Sequence, residues 1–271
     1  MNQTYQTLAM LGLATVLTGL PQVVAAQRPP ASLVLAAEPK PGQINAVELY
    51  NRGVDKLDAG DYQGAIADFT QALQLNPNDA DTYYNRGYAQ HTIGNYDKAI
   101  SDYSEAIRLN PSFTQAFSNR AYAYYLLKKY PEAIADCTKA IELNPKNDTA
   151  YITRGNSYDE LGQNQNALAD YDKALQINPQ NAMAYYNRGL ARNRLNQDRA
   201  AIDDYTETIR LQPTFAEAFY NRGLTRFNLK NTKEAIDDLK KAADLFKQQG
   251  RTENFQSAMN AIKTIQQSGD S

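Results

Sequence analysis

The sequence predicts an all-α fold, an α-solenoid in which six helical hairpins of equal length stand side by side. Three observations predict it. The word Tyr-Asn-Arg-Gly begins at Tyr50, Tyr84, Tyr186 and Tyr220, always separated by multiples of 34 residues, and weaker copies begin at Ser118 and Ile152. Pro77, Pro111, Pro145, Pro179 and Pro213 fall on the same period of 34. Between these marks the large apolar residues recur at helical spacing, and no strand-like alternation competes.

The elements follow in order. An uncharged apolar run from Leu8 to Leu20, then Pro21 and the small residues ending at Ala26, is too short for a comfortable membrane span. Residues 1–26 therefore read as a secretory signal peptide, cut after Ala26 or retained as an anchor, although no Lys or Arg precedes the apolar run. Residues 27–43 hold Pro29, Pro30, Pro39 and Pro41 and are expected to form an extended linker. The expected location is outside the cytoplasm, in a periplasm, a lumen or the extracellular space. Membrane contact is expected only through a retained amino-terminal segment. The repeats then occupy 44–79, 80–113, 114–147, 148–181, 182–215 and 216–249, and a capping helix and tail fill 250–271.

Counting the residue 31 before each proline as position 1 gives starts at Ala46, Ala80, Thr114, Asp148, Ala182 and, by extension, Ala216. Position 8 is then always small, and position 20 is always Ala, so the two helices of each hairpin can approach closely. The first helix is expected over about positions 2 to 14 and the second to about position 30, where an Asn-Pro pair stops it. Lys247 stands where a sixth proline would be, so the last hairpin is expected to run on to about Gln249. Beyond it, Phe255, Ala258, Met259, Ile262 and Ile265 share one face of a helix that closes the open end.

This pattern resembles the tetratricopeptide repeat family, in which a large residue, a small residue, Ala, an aromatic, Ala and Pro stand at positions 4, 8, 20, 24, 27 and 32. The likeness covers about Ala46 to Gln249, with local departures: position 4 is never Trp, Cys137 replaces the aromatic at position 24, and Thr208 replaces Ala at position 27. The resemblance implies a right-handed solenoid whose first helices line a concave groove through positions 2, 5, 9, 12 and 13. Carried over, the candidate partner-binding residues are Tyr50, Tyr84, Tyr88, Tyr122, Tyr125, Asn156, Tyr186, Arg194, Tyr220 and Phe227, set among Val54, Leu57, Ile152, Met183, Leu190 and Leu224. The alternative is that the position-5 tyrosines only help neighbouring repeats pack. A clamp for chaperone tails is disfavoured: Asn51, Asn85, Asn119, Asn187 and Asn221 match at position 6, but the lysines at positions 2 and 5 are missing.

Position 7 is Arg52, Arg86, Arg120, Arg154, Arg188 and Arg222, and position 23 is Asp68, Asp102, Asp136, Asp170, Asp204 and Asp238. In an antiparallel hairpin these side chains meet, which predicts a structural Arg-Asp ladder. The net charge of −2 with no long run of like charge gives no electrostatic footprint for nucleic acid. The single cysteine, Cys137, reads as a buried small hydrophobe, and the single histidine, His91, as an exposed polar side chain on the groove. With no glycine-rich phosphate loop or patterned carboxylates, no catalytic residue, metal or cofactor is expected. Asn147 to Thr149 forms a formal glycosylation sequon.

The functional expectation is an exported, non-catalytic scaffold or adaptor that binds protein or peptide partners for assembly or delivery. The alternatives are a structural or self-associating component of a larger complex, or an accessory subunit of an envelope enzyme. Charge on the groove is expected to divide its roles. The first three repeats add only Asp58 and Asp81 to their tyrosines, whereas the last three bring Asp159, Glu160, Arg194 and Glu217. The first half is thus expected to hold an apolar segment with little salt dependence, and the second to supply the salt-dependent part.

Overall fold

The computed structural model describes residues 45–269, so the expectations for residues 1–43 concern residues outside those described. The described residues form thirteen helices and no strand. These are α1 (Ala46–Asp58), α2 (Tyr62–Leu75), α3 (Ala80–Thr92), α4 (Tyr96–Leu109), α5 (Thr114–Leu126), α6 (Tyr130–Leu143), α7 (Asp148–Glu160), α8 (Asn164–Ile177), α9 (Ala182–Arg194), α10 (Asp198–Leu211), α11 (Ala216–Asn228), α12 (Thr232–Gln248) and α13 (Thr252–Gly269). They fall into two compact units, 45–157 and 158–269, with the boundary inside α7. In the amino-terminal unit each helix from α1 to α6 packs on the next, and in the carboxy-terminal unit each from α8 to α13 does so.

Local chemistry sets the helix ends. Asn45 and Glu48 make a reciprocal capping box at the start of α1, and Asp79 and Asn181 cap α3 and α9 through their side chains. Between the two helices of every hairpin, position 15 turns the chain with a positive φ: Gly60, Gly94 and Gly162 at 73° to 82°, but Lys128, Asn196 and Lys230 at 58° to 65°. The non-glycine residues carry a steric cost there that glycine avoids.

Close approach within a hairpin depends on the small residue at position 8. A Cβ on Gly53, Gly87 or Gly189 would lie within 2.6 to 2.9 Å of the ring of Phe69, Tyr103 or Tyr205 at position 24. The third repeat exchanges both partners, with Ala121 and Cys137 completely buried, and in the sixth repeat Leu239 stands where the ring would be. The two positions form one unit of volume.

The arginines at position 7 do two jobs. Nε and Nη2 of Arg52, Arg86, Arg120, Arg188 and Arg222 donate to both carboxylate oxygens of Asp68, Asp102, Asp136, Asp204 and Asp238 at 2.5 to 3.0 Å. Nη1 reaches back to position 25 of the preceding hairpin: Arg86 to Thr70, Arg120 to Ser104, Arg154 to Thr138, Arg188 to Asp172 and Arg222 to Thr206, at 2.6 to 3.3 Å. Each planar fork thus ties two helices of one hairpin and also joins that hairpin to its neighbour. Arg52 has no preceding hairpin in the described structure, and its side chain is 46% exposed against 11% to 20% for Arg86, Arg120, Arg188 and Arg222. The carboxylates respond accordingly. Hydrogen bonding from Arg52 lowers the pKa of Asp68, whereas burial outweighs the arginine at Asp102 and Asp204 and raises theirs.

A second inter-repeat rung explains the Asn of the repeated word. Nδ2 of Asn85, Asn119 and Asn221 donates to the hydroxyl of Tyr50, Tyr84 and Tyr186 in the preceding repeat at 2.8 to 3.0 Å. Where the third repeat has Ser118 instead of Tyr, Asn147 Nδ2 donates to its hydroxyl while Asn147 Oδ1 caps α7. At the carboxy end α12 is a 17-residue helix, and α13 covers its open side with Ala258, Ala261, Ile262 and Ile265. Met259 departs from the expected apolar face: it is 43% exposed, and Ala261 takes the buried place.

Candidate partner-binding face

The candidate residues fall into three groups. Tyr50, Tyr84, Tyr186 and Tyr220 are at most 3% exposed. Their rings pack against position 24 of the same hairpin, at centroid distances of 5.8 to 6.0 Å for Tyr50 on Phe69, Tyr84 on Tyr103 and Tyr186 on Tyr205. Tyr84 and Tyr186 also lie on Phe113 and Phe215 at 4.8 Å. These tyrosines build the interior between repeats. Burial raises the pKa of Tyr84, Tyr186 and Tyr220.

The second group forms a continuous row on the amino-terminal unit. Tyr122 stacks on His91 at 5.5 Å and 10°, and on Tyr125 at 6.2 Å and 16°; Tyr96 meets the edge of His91, and Tyr130 leans on Tyr125. Tyr88, one turn before His91 on α3, and Tyr62 extend the row over the core of the first hairpin, a cluster that includes Tyr50, Val54 and Leu57. Tyr62, Tyr88, Tyr96, Tyr125 and Tyr130 are half-buried, so each presents part of a ring to the surface over a floor of buried His91 and Tyr122. Such rings offer apolar faces and polar tips without ordering a long side chain.

His91 corrects the expectation of an exposed polar side chain. It is 5% exposed, because the tyrosine of the next repeat closes over position 12. Burial holds the imidazole down at about 4, and its Nδ1 has no hydrogen-bond partner among the described residues. Three tyrosines of the row, Tyr62, Tyr96 and Tyr130, stand at position 17, the first residue of the second helix, and sequence reasoning passed over them. Their spacing of 34 residues was visible, and in the last three repeats the same position is Asn164, Asp198 and Thr232.

The third group lies on the carboxy-terminal unit. Arg194 pairs with Asp159, and Arg251 pairs with Glu217 while stacking on Phe246 at 4.8 Å. Both carboxylates are buried, Leu190, Leu224 and Phe227 of the same unit are buried too, and Asn193 is held by Tyr205, Thr225 and Asp198. Burial raises the pKa of Asp159 against the pull of Arg194. Of the charges foreseen on this half, Asp159 and Glu217 are buried and paired, Asp159 with Arg194 35 places away in sequence and Glu217 with Arg251, whereas Glu160 is exposed as expected. Asn156 is buried as well, in the amino-terminal unit. The sequon asparagine, Asn147, is engaged with Ser118 and the start of α7.

Among the described residues no group of His, Cys, Asp and Glu is placed to hold a metal, and no helix is long and apolar enough to cross a membrane. Hairpins of this period, stapled through positions 7, 8, 23 and 24, define a helical-repeat interaction scaffold. The chain belongs to the tetratricopeptide repeat family, whose patterns match residues 50–112, 114–147, 137–169, 155–196 and 216–249. Among solved structures it is similar to YrrB, described as a tetratricopeptide repeat protein with an unusual peptide-binding site, at 25% identity and a TM-score of 0.60 over 72% of this chain and 97% of that one. It is similar also to MamA, at 26% identity and a TM-score of 0.57 over 61% and 96% of the two chains. A tetratricopeptide repeat protein from Parabacteroides merdae shares the fold at 21% identity, with a TM-score of 0.61 over 81% and 86%. No curated protein sequence matches the chain significantly.

Proposed function

We propose that the chain is an exported, non-catalytic adaptor whose amino-terminal unit holds an extended segment of a partner protein across its tyrosine row, for assembly or delivery of other exported proteins. The observation that carries this reading is the row itself: five half-exposed tyrosines contributed by α2, α3, α4, α5 and α6, seated on buried rings. Scaffold packing accounts for position 5, yet it does not require tyrosine at positions 9, 12 and 17 of one unit and not of the other. The peptide-binding site named for YrrB adds support. The apolar run before residue 27 supports export.

Selection of displayed random peptides on the protein tests the reading. Peptides enriched in apolar and aromatic residues should emerge, and Tyr88→Ala with Tyr125→Ala should weaken them by roughly tenfold or more, as loss of buried aromatic anchors does. Failure to enrich any sequence, or selected peptides that bind the double variant equally well, would overturn it.

A further inference from the structure

The internal ladder of this protein shows what it takes to hold a guanidinium. Arg86, Arg120, Arg154, Arg188 and Arg222 lie 5.3 to 5.7 Å from the ring of the aromatic residue three places earlier, and four of them are seen to donate as forks to the aspartate of the same hairpin. A ring face and a carboxylate together satisfy both the charge and the planar surface of arginine.

The amino-terminal unit presents the same two kinds of group, ring and carboxylate, at its surface. Tyr62 and Tyr88 both pack on the core of the first hairpin, and exposed Asp58 ends α1 next in sequence to Leu57 of that core. The turn after α1 is closed by Gly60 N–H on Leu57 O and Asp61 N–H on Lys56 O, so Asp58, the last residue of α1, and Tyr62, the first of α2, stand at one tight corner. Burial first, then Tyr62 and also the Asp58 charge, raise the pKa of the Tyr88 phenol, in keeping with that placement. Asp81, two turns earlier on α3, is half-buried. Neither Asp58 nor Asp81 has a side-chain ion pair among the described residues. The contrast lies in the other unit, where the buried face acids Asp159 and Glu217 each have an arginine. At the far end of the row Lys129 faces Asp97 at 3.8 Å.

We propose that Tyr62, Tyr88 and Asp58 form an arginine-binding subsite, which takes the guanidinium of an extended partner segment while its apolar residues lie along the remaining tyrosines. Asp81 offers a second carboxylate to a further basic residue. The inference rests on the tyrosine row being the binding face, and it adds the chemistry of the occupant.

The test uses the full chain and synthetic peptides of about nine residues, blocked at both ends, with one central arginine among alanine, leucine and proline. Versions carrying citrulline, the neutral isostere of arginine, or lysine replace only that side chain, and binding is read by fluorescence anisotropy. The arginine peptide should bind roughly tenfold tighter than the citrulline peptide at low salt, with lysine between them, and added salt should narrow the gap. Asp58→Asn, which retains the size of the side chain, should bring arginine and citrulline peptides within about twofold of each other without changing the citrulline affinity. Tyr88→Leu should shrink the same preference. Equal affinity of the two peptides for the unaltered protein would overturn the arginine subsite and leave the binding row standing. Absence of binding by all of them, and by an aromatic peptide without charge, would take down both. Self-association abolished by Asp58→Asn, with no peptide bound, would overturn the subsite in favour of a second copy as occupant.

Discussion

The two units are built on one frame and finished differently. Both use the arginine fork at position 7, the aspartate at position 23 and the close contact of positions 8 and 24. On the first-helix face they part. The amino-terminal unit shows half-exposed tyrosines with Asp58 and Asp81, which have no ion pair among the described residues, whereas the carboxy-terminal unit buries Asp159 and Glu217 and matches them with Arg194 and Arg251. A repeat can diverge in this way because the positions that staple hairpins together are not the positions that face outwards. Stability in each unit is carried by the same contacts, while chemistry at the surface is free to differ.

If the frame is common, its loss should cost the same in either unit and less at an end. Asp102→Ala and Asp238→Ala each strand a mostly buried arginine, Arg86 or Arg222, that has no second carboxylate among the described residues, and should lower stability by about 3 kcal/mol, the usual cost of breaking a buried pair. Asp68→Ala leaves Arg52 and Lys56 able to turn to water and should cost about 1 kcal/mol. Unfolding in urea followed by circular dichroism measures all three, and equal losses would show that burial of the arginine does not set the cost.

The next effect separates the units by volume. Cys137→Tyr in the third repeat drives a ring against Ala121 and should cost about 2 kcal/mol, and the pair Ala121→Gly with Cys137→Tyr, which restores the arrangement of the second and fifth repeats, should recover most of it. Thermal unfolding of the single and double variants decides this. A double variant no better than the single would mean that the two positions do not share one space.

A histidine-linked pH effect belongs to the amino-terminal unit, which holds the single histidine of the sequence. The pKa of His91 falls from 6.5 when unfolded to about 4 when folded, so its contribution is present above 6.5 and is lost as pH falls towards 4. Between pH 7 and pH 5 that loss should reach about 2 kcal/mol, and His91→Phe should remove it. Parallel pH profiles for the two proteins would show that the imidazole is not held neutral.

The smallest effect is a gain. Lys128→Gly and Lys230→Gly relieve a positive φ at equivalent turns of the two units, and each should stabilise by about 0.5 to 1 kcal/mol. A gain at one turn only would mark a difference in the frame itself.

The frame was legible in the sequence because every repeat restates it. First helices expected over positions 2 to 14 are found one residue earlier, from Ala46 to Asp58 in the first repeat, and the Arg and Asp positions stood out as invariant through six copies. Contacts between repeats were harder to read. Asn85 meets Tyr50 across 35 residues, and nothing within one copy shows that the amide and the hydroxyl face each other. His91 was misjudged for the same reason, since Tyr122 of the following repeat is what buries it. On the face, periodic tyrosines at positions 5, 9 and 12 looked alike in sequence. Only packing separates Tyr84, sealed between rings, from Tyr88, which keeps part of its ring at the surface.

The central claim is that the amino-terminal unit carries the binding face, and hydrogen exchange with a selected peptide bound tests it most directly. Slowed exchange should appear in α3 and α5 and at the starts of α4 and α6, around Tyr88, Tyr96, Tyr125 and Tyr130, with α9 and α11 unchanged. Protection centred on α9 and α11, around Arg194 and Phe227, with the tyrosine row unaffected, would contradict it.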